Sequence, residues 1–118
     1  MRTPVILVVD DEVLLRLLAA EHLSDAGFEV LEAANGAEAM ALMSERHDIK
    51  AVVTDVRMPG GPNGLELARA VREACPGAIV VVSGRAVPAA GELAERAYYV
   101  PKPYGGREVR LVEGLLAA

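Results

Sequence analysis

At 118 residues with 53% hydrophobic content, the chain is long enough for one packed domain and too apolar for disorder. Its formal net charge of -5, with no basic cluster, argues against a nucleic-acid partner. The single cysteine, Cys75, excludes an internal disulfide and fits a reducing cytoplasm, and no apolar stretch has the length of a signal or a membrane span.

Val5 to Val9 is an unbroken β-branched and leucine run, the pattern of a strand buried on both faces. The acids Asp10, Asp11 and Glu12 follow it directly. Glu12 to Ala26 reads as a helix with Leu15, Leu18, Ala19, Leu23 and Ala26 on one face, stopped by Gly27. Phe28 to Ala33 is a more mixed strand, suited to a sheet edge. Asn35-Gly36-Ala37-Glu38 has the form of a capping box and opens a second helix whose buried side includes Met40 and Met43. Ala51 to Thr54 is a third strand leading into Asp55, followed by the Gly/Pro-rich loop Met58 to Pro62. Asn63-Gly64-Leu65-Glu66 repeats the capping pattern and starts a helix running to about Ala74. Ala78 to Val82 is a fourth strand ending at Ser83-Gly84. Arg85 to Ala97 contains Pro88 and Gly91 and supports only a short, weak helix. Tyr98 to Val100 is a short fifth strand before Lys102-Pro103, and Glu108 to Ala117 is a last helix with Val109, Val112 and Leu116 on one side.

Strands that alternate with helices predict an α/β fold with a five-stranded parallel sheet and helices on both faces. No repeat, linker or low-complexity tract divides the chain, so residues 1–118 read as one domain with no separate output domain. In such a sheet, ligands bind at the carboxyl ends of the strands. Those ends carry Asp10-Asp11-Glu12, Asp55, Ser83 and Lys102: acids, a hydroxyl and an ammonium. Two unit charges 4 Å apart repel by about 4 kcal/mol at an effective dielectric near 20, so gathered carboxylates call for a hard cation. Carboxylates, a backbone carbonyl and water suit Mg²⁺, which accepts phosphate as a further ligand. One acid would be enough to cap the first helix; a second arriving from another strand points to a site. His22 and His47 have no partner at metal-ligand spacing.

With VVDDE at Val8–Glu12, TDVRMPG at Thr54–Gly60, VVSG at Val81–Gly84 and KPY at Lys102–Tyr104, the chain resembles the response-regulator receiver domain of two-component signalling. The resemblance implies the doubly wound, flavodoxin-like fold of the chemotaxis regulators, with sheet order 2-1-3-4-5. It also implies that Asp55 is the phosphoacceptor, attacking a phosphohistidine on a sensor histidine kinase or phosphotransfer protein. Asp11, Asp55 and the Arg57 carbonyl would bind Mg²⁺ directly, and Asp10 through a metal-bound water. Ser83 and Lys102 would hold phosphoryl oxygens, the Lys102–Pro103 bond would be cis, and Tyr99 would turn inward as a switch when Ser83 moves. The output would be contact with a downstream protein, or relay of the phosphate to another histidine protein.

The loop carrying Gly61-Pro62 is one residue longer than the family's usual pattern, and Arg57 and Arg85 sit where the family tunes loss of the phosphoryl group. Three other functions fit the residues less well. An aspartyl-phosphate phosphohydrolase would need a second acid where Arg57 stands. A static interaction module would need a damaged site. Nucleotide binding would need a G-x-G-x-x-G or P-loop, and neither is present. Leu111 and Leu115 widen the apolar face of the last helix, which leaves open either a homodimer or a helix wedged more deeply into the core.

Overall fold

The structure is a computed structural model that describes residues 3–57, 63–75, 77–84, 96–101 and 107–117. In chain order the elements are β1 (Val5–Val9), α1 (Val13–Asp25), β2 (Glu29–Ala33), α2 (Gly36–Glu45), β3 (Ile49–Asp55), α3 (Gly64–Ala74), β4 (Ile79–Gly84), β5 (Ala97–Pro101) and α4 (Arg107–Ala117). The strands form one parallel sheet in the order β2-β1-β3-β4-β5, as the resemblance implied. Of the stretch Arg85 to Ala97, expected to hold at most a short helix, residues 85–95 lie outside the described residues, and Ala97 instead begins β5.

Strand composition accounts for this order. β1 and β4 are buried along their whole length, and β3 everywhere except Lys50. A strand covered on both faces cannot carry exposed polar positions, so the β-branched runs take the centre. β2, with Glu29 and Glu32 exposed, lies at one edge, and β5 at the other.

Period-two alternation splits the core into two layers. Val5, Leu7, Val9, Val52, Val80 and Val82 face one side, packed with Ala39 and Met43 of α2 and Leu67, Ala68 and Val71 of α3. Ile6, Val8, Ala51, Val53, Ile79 and Val81 face the other, packed with Ala19 and Leu23 of α1 and Val109 and Val112 of α4. Leu111 and Leu115 pack partly buried against this second layer, so the wide face of α4 is used at least in part inside the domain. Among the described residues no helix is long and apolar enough to cross a membrane.

The helix ends follow from their sequences. Gly27 takes φ +99°, the Phe28 N–H donates to the Leu23 carbonyl and the Gly27 N–H to that of Ser24, closing α1 in a Schellman motif. Asn63 and Glu66 form a full capping box on α3. At α2 the Asn35 side chain accepts from the Glu38 N–H, but Glu38 reaches back one residue further, to the Ala34 N–H.

α1 departs from the expected face. Leu15, Ala19 and Leu23 turn toward the sheet, whereas Leu18 is 38% exposed and Val13, Leu14 and Leu17 are 55%, 82% and 49% exposed. Leu18 precedes Ala19 and is turned about 100° from it, off the buried line. Ala26 is the C-cap and is exposed. The first two turns of α1, Val13 to Ala20, are apolar except at Arg16, which concealed which stripe faces the core.

Candidate functional site

Among the described residues the buried polar or charged side chains are Asp10, Thr54, Asp55 and Ser83. Asp10 follows β1, Thr54 and Asp55 end β3, and Ser83 is the next-to-last residue of β4. Burying such groups is unfavourable without partners, so their concentration at one end of the sheet marks a site, not chance. Register does the gathering. Val9 pairs with Thr54 and Asp55 with Ser83, so the strand ends finish level. Alternation then gives Asp10 the parity of Ile6 and Val8, Asp55 that of Ala51 and Val53, and Ser83 that of Ile79 and Val81. All three belong to the face covered by α1 and α4.

Carboxylate oxygens of Asp10, Asp11 and Asp55 lie within 4.8 Å of one another. Asp10 is fully buried and Asp55 is 6% exposed, while Asp11 is exposed at the rim. The acids do not serve α1 as caps: its N-cap is Glu12, whose side chain makes no capping bond. Instead Asp10 Oδ1 accepts the Glu12 N–H at 2.9 Å, a turn that throws Asp11 toward the crevice mouth. The Asp10 N–H donates to the Ala33 carbonyl at 3.1 Å, anchoring this turn to β2.

Asp55 is held by its surroundings. Its Oδ1 accepts the Arg57 N–H at 3.2 Å, and its carbonyl accepts the Thr54 hydroxyl at 3.1 Å. The next residue, Val56, donates its N–H to the Ser83 carbonyl and accepts from the Gly64 N–H, both at 2.9 Å. β3, β4 and the start of α3 are therefore tied together one residue beyond Asp55. Gly64 lies so close that a Cβ there would overlap the Asp55 carbonyl oxygen. The Ser83 hydroxyl donates to the Thr54 carbonyl at 3.5 Å, a long bond.

Tyr99 on β5 pairs with Val82 on β4 and donates its hydroxyl to the Gly84 carbonyl at 2.8 Å. Its neighbour Tyr98 packs against the α1/α4 layer, so the two tyrosines lie on opposite faces, as alternation requires. The structure thus brings Asp10, Asp11, Asp55 and Ser83 together, with the Arg57 backbone beside them. Lys102, the Lys102–Pro103 bond, the Met58–Pro62 loop and Arg85 lie outside the described residues. Two contributors were not singled out from sequence. Gly64 read as an ordinary member of a capping pattern. Arg16, the one charge in the apolar run Val13 to Ala20, donates through Nη1 to the Asp10 carbonyl at 2.9 Å.

The donor set suits a hard divalent cation: three carboxylates converge, with histidine and cysteine absent from the group. An oxygen-only site with one exposed acid leaves room for water and for a phosphate oxygen.

Comparison with known proteins agrees with this geometry. A family model described as response regulator receiver domain matches residues 6–112. The aerobic respiration control protein ArcA of Escherichia coli K12 is 41% identical over 85 residues, 72% of this chain and 35% of that protein. The chain therefore spans about a third of the length of this curated relative. A response regulator receiver protein from Sinorhizobium medicae superposes with a TM-score of 0.88 at 32% identity, covering 99% of this chain and 97% of that one. The Thermotoga maritima response regulator TrrA, solved in complex with Mg²⁺ and BeF, gives 0.84 at 30% identity, covering 97% and 99%.

Proposed function

Because this chain belongs to the response regulator receiver domain family, whose members are phosphorylation switches of two-component signalling, we propose that Asp55 is its phosphoacceptor and that Mg²⁺ binds at Asp10, Asp11, Asp55 and the Arg57 carbonyl. The observation that carries this reading is the convergence of three carboxylates at the sheet rim, two of them on buried residues. Mg²⁺ would supply charge neutralisation for the transferring phosphoryl group.

The remaining steps belong to the protein's own residues. An Asp55 carboxylate oxygen attacks phosphorus in line. A P–O bond forms as the P–N bond of a phosphohistidine breaks, and the imidazole leaves with its electron pair and takes up a proton. The Arg57 N–H, the Thr54 hydroxyl and the two backbone bonds of Val56 hold Asp55 so that little reorganisation is needed. Ser83 and Lys102 take the phosphoryl oxygens, the first as a directional donor and the second as a cation. Tyr99, whose hydroxyl already grips the end of β4 at Gly84, relays the rearrangement.

The domain acts as a switch and not as a hydrolase. Arg57 occupies the position where a hydrolytic aspartyl enzyme needs its second acid, and its side chain is exposed beside Asp55. The converged acids also speak against a static interaction module. We place it in the cytoplasm with protein partners: a sensor histidine kinase or phosphotransfer protein upstream and a protein target downstream. The donor's footing is the exposed apolar turn Val13, Leu14, Leu17 and Leu18, which starts two residues after Asp11. Placing a charge there, in Leu14→Glu, should slow transfer from a phosphohistidine protein by roughly tenfold, the effect of a modest interface hot spot. Loading from acetyl phosphate, which needs no docking, should stay unchanged. Equal slowing with both donors would contradict this footing.

The direct test is intact mass after incubation with acetyl phosphate. With Mg²⁺ present, one phosphoryl group should be gained; with excess EDTA, none. Equal loading in both would remove the metal from the reading, and no loading in either would remove the reading itself.

A further inference from the structure

Arg16 spans two elements. Its Nη1 donates to the Asp10 carbonyl at 2.9 Å and its Nε pairs with Glu32 Oε1 on β2 at 3.1 Å, with the Arg16 side chain only 17% exposed. Its backbone N–H meanwhile donates to the Glu12 carbonyl at 2.9 Å. The turn from Asp10 to Glu12, which presents two of the three converging carboxylates, is thus closed from both ends. The Asp10 N–H is fixed to Ala33 on β2, and the Asp10 carbonyl is fixed through Arg16 to Glu32 on the same strand.

We propose that Arg16 is a positioning residue for divalent-cation binding: its guanidinium clamps the Asp10 carbonyl to β2 and so presets the Asp10 and Asp11 carboxylates. This rests on the proposed Mg²⁺ site and adds a residue that touches neither metal nor phosphate. Two physical effects of Arg16 oppose one another. As a cation near three acids it offsets their mutual repulsion and competes with a divalent ion, so charge alone would make its removal tighten metal binding. As a clamp it reduces the freedom of the ligand turn, so its removal weakens binding. The Glu32 ion pair cancels much of the charge seen from the crevice, which leaves the clamp dominant. Lysine cannot replace it: one ammonium on a flexible stem does not span a carbonyl and a carboxylate as a planar fork does.

The test is calorimetric titration of Mg²⁺ into the metal-stripped full chain, as wild type, Arg16→Ala and Arg16→Lys, with thermal melts to establish folding. Arg16→Ala should weaken binding by roughly ten- to a hundredfold, the range for outer-shell partners of metal ligands. Arg16→Lys should also weaken it, by at least about threefold, although it keeps the charge. At saturating Mg²⁺, loading of both variants by acetyl phosphate should return to near the wild-type rate, locating the defect in metal affinity. If Arg16→Ala does not fold, Arg16→Lys decides. Wild-type affinity in Arg16→Lys, or tighter binding in Arg16→Ala, overturns the clamp while leaving the Mg²⁺ site intact. Absence of Mg²⁺ binding by the wild type overturns both.

Discussion

Asp55→Asn should abolish phosphoryl loading while leaving the fold intact. With Mg²⁺ and acetyl phosphate the wild type gains one phosphoryl mass and the variant gains none, since an amide lacks the anionic oxygen that attacks phosphorus. The variant carries a second signature. Carboxylates of Asp10, Asp11 and Asp55 lie within 4.8 Å of one another, and without a cation they repel. Removing one negative charge relieves interactions worth on the order of 1–4 kcal/mol, between the limits for water and for a protein surface. In EDTA the variant should therefore melt no lower than the wild type, and excess Mg²⁺ should raise the wild-type midpoint more than that of the variant. A variant that still takes phosphate would move the acceptor elsewhere. A variant that melts well below the wild type in EDTA would mean that Asp55 stabilises the fold, against the repulsion argument.

Gly64→Ala should damage both the fold and the site, although alanine is the better helix former by about 0.5–1 kcal/mol. The added methyl would overlap the Asp55 carbonyl oxygen and press on Val56 Cα, which are backbone atoms that cannot swing aside. Either α3 moves outward or the end of β3 shifts. Overpacking against backbone should cost about 3 kcal/mol, at the upper end of the usual range. For a domain of this size that corresponds to a fall in midpoint of roughly 10 °C. A displaced Asp55 should also load about a hundredfold more slowly, as misplaced reacting groups do. Gly114→Ala in α4 is the control, because a Cβ there meets nothing within 4 Å. Thermal melts and loading rates of the two variants should diverge, with Gly114→Ala as stable as the wild type or more so. Similar behaviour would mean that α3 yields without disturbing β3.

Much of this architecture was legible from residue patterns because the constraints are short-ranged. Val5–Val9 and Ile79–Val82 are buried strands because nothing polar interrupts them, and Gly27 ends α1 because the chain there needs a positive φ. The acids, Asp55 and Ser83 could be placed at one rim because each ends a strand of one parallel sheet. What escaped depends on three-dimensional packing. α1 is apolar from Val13 to Ala20 except at Arg16, so periodicity could not choose between Leu18 and its neighbours for the core. Only docking on the sheet leaves Leu14 and Leu17 outside. Gly64 matters through a contact with a carbonyl nine positions earlier, and capping statistics carry no sign of that contact. Arg16 could have been noticed as a lone charge, but its partners, the Asp10 carbonyl and Glu32, become neighbours only once β1, β2 and α1 are assembled.

The central claim is chemical: an acyl phosphate forms on the carboxylate at the end of β3. Borohydride reduces an acyl phosphate on aspartate to homoserine, so reductive trapping followed by peptide mapping of the loaded wild type reads the acceptor directly. Homoserine at position 55, appearing only when both Mg²⁺ and a phosphodonor were present, is the expected result. Homoserine at position 10 or 11, or a phosphorylated chain with no reducible aspartate, would contradict it.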